Sequence, residues 1–359
     1  MPARASEDIP GAYLLPLFDE LSRAAPGSAP THPKAVAGIA ALIGEEIHTK
    51  PDVRYQALGC KSILNRCDTP RMPDCWTVNP YRGCEFGCTY CYARYTHEYL
   101  GLEGWEAFER TIFVKENARE ALRAQADPAR LRARPIAIGT ATDPYQPAEK
   151  RFRVTRGILE ILAETPGLRI GIITKSPLVV RDVDVLGRIH ARSRLTITVS
   201  LMTADPDLAR RLDTRAPTPE ARLRAVAALR EAGLRAGLNA MPILPGLNDG
   251  AEALDALFRR ASEAGALYVN AGVLFLPKAS RARFLPFLRR EFPDLVARYR
   301  RFYDGSLDAP DEYAGRLERL LDRLREKYGL ARRRDVSDWA PAPEPQLALP
   351  WEGEAPAEP

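Results

Sequence analysis

From Trp76 onward the chain alternates between two hydrophobic rhythms: short contiguous apolar runs, and longer stretches where apolar side chains recur every three or four positions. The runs predict buried strands at 76–79, 111–115, 135–140, 168–174, 195–201, 234–241 and 267–275. The stretches between them predict helices at 90–100, 116–126, 151–164, 179–189, 219–232 and 251–264. In 151–164 the residues Phe152, Thr155, Leu159 and Leu162 share one face, and in 179–189 so do Val180, Val183, Leu186 and Ile189. The helix at 219–232 is punctuated at both ends: Thr218 is a capping residue, Pro219 stands at the first helical position and Gly233 lies just past the end.

Strands joined by helices of this length need right-handed parallel crossovers. Parallel strands covered on both faces read as unbroken apolar runs, as Ile170 to Ile173 does. About six such units predict an α/β fold, a curved partial (β/α)6 barrel of TIM-like type over residues 76–276. Chemistry in such a barrel belongs at the C-terminal strand ends.

The flanks differ. Prolines 10, 16, 26, 30, 33 and 51 interrupt residues 1–75, which read as an irregular N-terminal extension with one helix over 35–47. Residues 277–335 read as a C-terminal helical segment, with arginine-rich helices at 284–303 and 311–328. Their arginines are expected in water. Residues 336–359, with prolines among acidic residues, have the composition of a disordered tail.

Composition narrows the function classes. With 359 residues, 45% hydrophobic and 28% charged, an enzyme-sized core is available. No run of about eighteen apolar residues occurs and Met1 to Asp8 lacks a signal-peptide core, so a cytoplasmic protein without a membrane span is expected. A net charge of +5 permits a nucleic-acid partner without requiring one. In the cytoplasm the six cysteines read as ligands or buried thiols rather than three disulfides.

Three of them are distinctive. Cys84, Cys88 and Cys91 form a C-x3-C-x2-C array in one loop, with Tyr90 just before the third. Three thiolates without a fourth ligand do not complete a structural zinc site, whereas an iron–sulfur cubane can be held by three and keep one iron open. Cys60, Cys67 and Cys75 match no ligand spacing; they read as buried or incidental thiols, with a second cluster as the alternative.

The array resembles the signature of the radical S-adenosylmethionine (SAM) superfamily, and residues 63–276, with the phrase Thr142-Asp143-Pro144-Tyr145-Gln146-Pro147-Ala148-Glu149, resemble its spore photoproduct lyase branch. The resemblance implies a partial barrel, a [4Fe–4S] cluster on Cys84, Cys88 and Cys91, and SAM bound at the open iron. Reductive cleavage of SAM would then give a 5′-deoxyadenosyl radical that abstracts hydrogen from a substrate. It further implies SAM contacts at Thr142, Lys175 and Ser200, with Tyr90 beside the adenine; Asp143, which opens an Asp-Pro turn, reads as a residue that orders its loop, with a place near the SAM amino group as the alternative. Arg82 is placed either near the cluster charge or in a surface ion pair. The implied partners are an external one-electron donor of flavodoxin or ferredoxin type and an unidentified substrate, with DNA and RNA as candidates; a monomer is expected. One departure stands out: where the lyase has a hydrogen-donating cysteine this chain has Thr140, whose O–H bond is too strong to quench a carbon radical, so photoproduct repair does not carry over. The competing readings are a noncatalytic iron–sulfur electron carrier and a zinc-stabilised nucleic-acid-binding protein.

Overall fold

The computed structural model describes residues 43–69, 71–102 and 104–333. In chain order its strands are β1 (Ile43–Lys50), β2 (Val53–Leu58), β3 (Asn65–Thr69), β4 (Met72–Val78), β5 (Tyr81–Arg82), β6 (Thr111–Val114), β7 (Ile136–Ile138), β8 (Arg169–Thr174), β9 (Arg194–Ser200), β10 (Ala236–Ile243) and β11 (Val269–Val273). Seven of them form one sheet in the order β11-β10-β9-β8-β7-β4-β3. All neighbours from β4 to β11 pair in parallel, and β3 joins antiparallel. Six parallel strands therefore make the expected partial (β/α)6 barrel.

The apolar runs form strands because both faces are covered. Ile170 and Ile172 of β8, with Leu195, Ile197 and Val199 of β9, pack under helices that contribute Leu186, Ile189, Val226 and Leu229. Apolar burial of this kind stabilises by roughly 25 cal/mol per Å2 removed from water. The crossover helix Pro219–Glu231 starts as its sequence dictates, with Thr218 accepting from the Ala221 N–H.

Several boundaries depart from the sequence reading, each for a local reason. Helix 151–164 is broken at Arg153 (φ +52°) into Ala148–Phe152 and Val154–Leu162. The stretch 179–189 begins as a 3-10 turn over Pro177–Asp182 before the helix Val183–Arg192. Pro293 lacks the N–H that would continue a helix, so the expected 284–303 becomes Lys278–Glu291, a 3-10 turn and Val296–Tyr303. The helix Asp311–Tyr328 matches its expected span and ends at left-handed Gly329.

The segment before Trp76 holds more strand than its prolines suggest. Residues 43–47, read as the end of a helix, belong to β1, which Pro51 and left-handed Asp52 (φ +65°) turn back to pair with β2. β6, read as the second strand of the alternation, instead lies in a separate sheet of order β1-β2-β6-β5. Residues 1–42 and 336–359 lie outside the described residues.

β3 and β11 are the two ends of the large sheet, and no ladder joins them. Side chains span the seam. Arg71, in the turn between β3 and β4, pairs with Asp308 and stacks on the Phe275 ring, 3.9 Å from its centroid.

Candidate functional site

The cysteine loop leaves β5 through Gly83, whose φ of +82° and close surroundings demand glycine: a Cβ there would lie 2.8 Å from the carbonyl oxygens of Phe108 and Thr111. From that point three supports fix the loop. The Cys84 N–H donates to the Phe108 carbonyl (2.9 Å), and the Thr89 N–H to the Leu212 carbonyl (2.9 Å). Buried Arg94 donates from Nη2 to the Cys88 carbonyl and to Glu109 Oε1, both at 2.6 Å.

A fourth support comes from the loop after β7. Gln146, fully buried, donates from Nε2 to the Gly83 carbonyl (3.1 Å) and accepts at Oε1 from the Glu85 N–H (3.1 Å). Thr142 donates from its hydroxyl to the same Gly83 carbonyl at 2.6 Å. The residues next to Cys84 are thereby laced to the neighbouring strand end.

The loop faces a cavity at the C-terminal ends of the parallel strands, about 900 Å3 when measured out to its mouth. Cys84, Cys88, Cys91, Tyr90, Thr142, Asp143, Lys175 and Ser200 all line it. Strands separated by more than a hundred residues thus deliver every predicted site residue to one space.

Their orientations divide them. Lys175, just past β8, carries its Nζ 3.8 Å from Asp213 Oδ2 and 5.5 Å from the Tyr90 ring centroid, with no hydrogen-bond acceptor among the described residues. The Ser200 hydroxyl likewise has no partner among them. Asp143 is engaged instead: Oδ1 accepts from the Thr174 hydroxyl (2.6 Å) and the Tyr145 N–H (2.9 Å), and Oδ2 from the Lys175 N–H (2.7 Å). It fixes the β8 end. Thr142 is turned to the cysteine loop, and Tyr90 donates its hydroxyl to Asp213 Oδ1 at 2.5 Å.

Asp213 is the centre of charge in this wall, and no sequence pattern marked it. Arg222, 1% exposed, donates from Nη1 to its Oδ2 (2.8 Å) and to the Ser200 carbonyl (3.0 Å). Burial alone would raise the Asp213 carboxyl, but Lys175 and Arg222 outweigh it and hold it at about 2. Burial conversely pulls the Lys175 ammonium down, and the charges of Asp213 and Cys88 more than reverse that. Both groups stay ionised. Burial pushes the Cys84 and Cys88 thiols well above their ordinary range, with Asp143 and Asp213 respectively adding to it, and raises Cys91 too.

The donor chemistry fits a thiolate-ligated cluster with a zwitterionic ligand. Three thiols, Cys88 buried and Cys84 and Cys91 half-buried, are costly to ionise alone and would ionise as ligands if a metal centre took their protons' place. Among the described residues no three cysteine, histidine or carboxylate groups converge on a single ion, as zinc would require. A cubane gives each thiolate its own iron and does not need that convergence. The Lys175 ammonium, which keeps its hydrogens uncommitted at 3.8 Å from Asp213, and the Ser200 hydroxyl are of the type that receives a carboxylate.

Other expectations resolve differently. Arg82 neither enters this cavity nor forms a surface ion pair; it donates to the Thr96 carbonyl at 3.3 Å beside a second cavity. Cys67 and Cys75 face each other across β3 and β4, while Cys60 stands on the loop after β2. Cys60 and Cys67 line the second cavity and Cys75 does not. Thr140 is held by Asn79, whose Nδ2 donates to its hydroxyl at 2.9 Å, and its carbonyl accepts from Tyr92. No helix among the described residues is long and apolar enough to cross a membrane.

A family model, that of the Radical SAM superfamily, matches residues 78–258. An uncharacterised protein of Mycobacterium tuberculosis is 37% identical over 299 residues, 83% of this chain and 86% of its own length. An uncharacterised protein of Methanocaldococcus jannaschii is 29% identical over 174 residues, 48% of this chain and 62% of its own length. Among solved structures, spore photoproduct lyase complexed with dinucleoside spore photoproduct superposes with a TM-score of 0.58 at 18% identity, over 76% of this chain and 79% of that one. A mutant of that lyase with bound AdoMet and dinucleoside spore photoproduct gives 0.57 at 18% identity over the same shares. That likeness is one of fold.

Proposed function

The chain belongs to the radical SAM superfamily, and from that premise we propose that it is an enzyme in which Cys84, Cys88 and Cys91 hold a [4Fe–4S] cluster and SAM binds beside it. When bound and reduced by an external one-electron donor of flavodoxin or ferredoxin type, these cofactors supply the one-electron cleavage of SAM that makes a hydrogen-abstracting agent. The protein's own residues do the rest. Lys175 meets the cofactor carboxylate, Ser200 offers a hydroxyl to it or to the ribose, and Tyr90 walls the site with its ring pinned by Asp213. Asp143, Thr142 and Gln146 act as positioning residues that hold the Lys175 backbone and the cysteine loop. Burial of the site keeps water from the reacting groups.

One observation carries this reading: three cysteines from one loop and a largely enclosed lysine from another strand, with no hydrogen-bond acceptor of its own among the described residues, line a single cavity at the strand ends. The substrate class to test first is nucleic acid or its components, because the structurally similar lyase is seen complexed with a dinucleoside spore photoproduct. Anaerobically reconstituted protein should hold about four irons per chain and, with dithionite, release 5′-deoxyadenosine and methionine from SAM. Cys88→Ala should reduce that release to background; cleavage retained in the variant overturns the assignment.

A further inference from the structure

A second cavity adjoins the first, sharing Thr140 and Ala141 with it, and measures about 1160 Å3 out to its mouth. Its lining contains Lys61, Arg66, Arg82 and Lys115 and no aspartate or glutamate. Arg66 is answered nearby, by Asp68 at 3.5 Å and Asp74 at 3.3 Å. Arg82 and Lys115 have no such answer. The Lys115 ammonium donates to the Asn79 carbonyl (2.7 Å) and the Arg82 guanidinium to the Thr96 carbonyl (3.3 Å), and among the described residues neither forms an ion pair.

The rest of the molecule shows how unusual that is. Four cationic side chains are buried among the described residues: Arg94, Lys115, Arg222 and Arg325. Arg94 pairs with Glu109, Arg222 with Asp213, and Arg325 with Glu318 and Asp322. Lys115, 7% exposed, is the exception, and the charge that acts on it most strongly is that of another cation, Arg82. Burial and repulsion from Arg82 pull its ammonium down to about 8. Each group gives one hydrogen bond to a backbone carbonyl, which leaves most of its donors free and does not cancel its charge. Two like charges in a low-dielectric recess are unfavourable until an anion joins them.

We propose that Arg82 and Lys115 form a phosphate-binding subsite that anchors a phosphomonoester substrate with its body directed past Thr140 into the cofactor cavity. A phosphomonoester matches the pair in charge, since it carries about −1.5 to −2 near neutral pH and three acceptor oxygens, whereas a carboxylate answers only one cation. The guanidinium fork and the ammonium point charge are the two side chains best suited to those oxygens. The inference rests on the radical SAM reading for the meaning of the shared wall, and on the second cavity alone for the anion.

Calorimetric titration of cluster-loaded protein with inorganic phosphate, at an ionic strength held constant with chloride, should give a saturable heat. Lys115→Met and Arg82→Gln should each weaken that binding roughly tenfold or more, and Lys115→Arg should retain it. Circular dichroism of each variant separates a lost site from a lost fold. No saturable heat, or equal binding in well-folded Lys115→Met and Arg82→Gln, overturns the subsite; acetate binding as tightly as phosphate overturns the phosphate class. SAM cleavage is measured on the same samples. Cleavage without phosphate binding removes the subsite and leaves the proposed function standing; phosphate binding without cleavage does the reverse.

Discussion

His97 is buried as a neutral ring, its Nε2 donating to the Thr111 carbonyl at 2.9 Å and its Nδ1 without a partner. Burial pulls its pKa from 6.5 to about 4. Between those values the unfolded chain binds more protons than the folded one, so the stability it contributes is complete above about 6.5 and is lost as pH falls towards 4. The loss is about 3 kcal/mol at most. Urea midpoints measured across that range should fall with pH, and His97→Phe should flatten the decline; parallel profiles would show another group responsible. At this scale the sequence displayed residue types but not directions. Lys175 and Ser200 stand where polar residues at strand ends were expected, yet Thr142 turns its hydroxyl to Gly83 and Asp143 turns its carboxylate to β8. Nothing local distinguishes a side chain aimed at a ligand from one aimed at the neighbouring backbone.

Elements were legible where the signal was local. Contiguous apolar runs gave β7 to β11, and the caps at Thr218 and Gly233 gave the helix between β9 and β10. Partner choice was not. Thr111–Val114 is a strand by any local measure, but whether it joins the large sheet or β2 and β5 depends on residues some sixty positions away in the chain, which period and propensity do not report. The same holds for the lacing of the cysteine loop by Gln146, which sits in a phrase quoted for its resemblance while its role emerges only across two loops. Gln146→Leu leaves the Gly83 carbonyl and the Glu85 N–H without that partner. It should destabilise the fold by about 1–3 kcal/mol and lower the iron retained after reconstitution, both measurable on one preparation. Undiminished iron in a destabilised variant would confine Gln146 to a purely structural part.

For the whole molecule, the alternation of strand and helix pointed to a parallel sheet covered on both faces, and the resemblance carried by the cysteine array favoured the partial barrel over an open doubly wound sheet. The sequence did not disclose the second sheet, or that Asp213, Arg222, Lys175 and Tyr90 would assemble behind Cys88 from four separate segments. Nor did it indicate how the sheet's two ends meet. Arg71→Ala removes a partly exposed ion pair worth up to about 1 kcal/mol and a cation–ring contact of about 0.5–1 kcal/mol. Hydrogen exchange of β3 and of residues 274–276 should then quicken by about tenfold while that of β8 and β9 stays unchanged; an unaltered rate at β3 would show the contact idle.

β3 and the segment beyond β11 meet through side chains, Arg71 among them, and not through a strand ladder, so the barrel fastens as a spring clip does and not as a pipe. A continuous strand ladder would be indifferent to ionic strength, whereas a side-chain catch is not. Because the catch is ionic and half in water, dissolved salt loosens it.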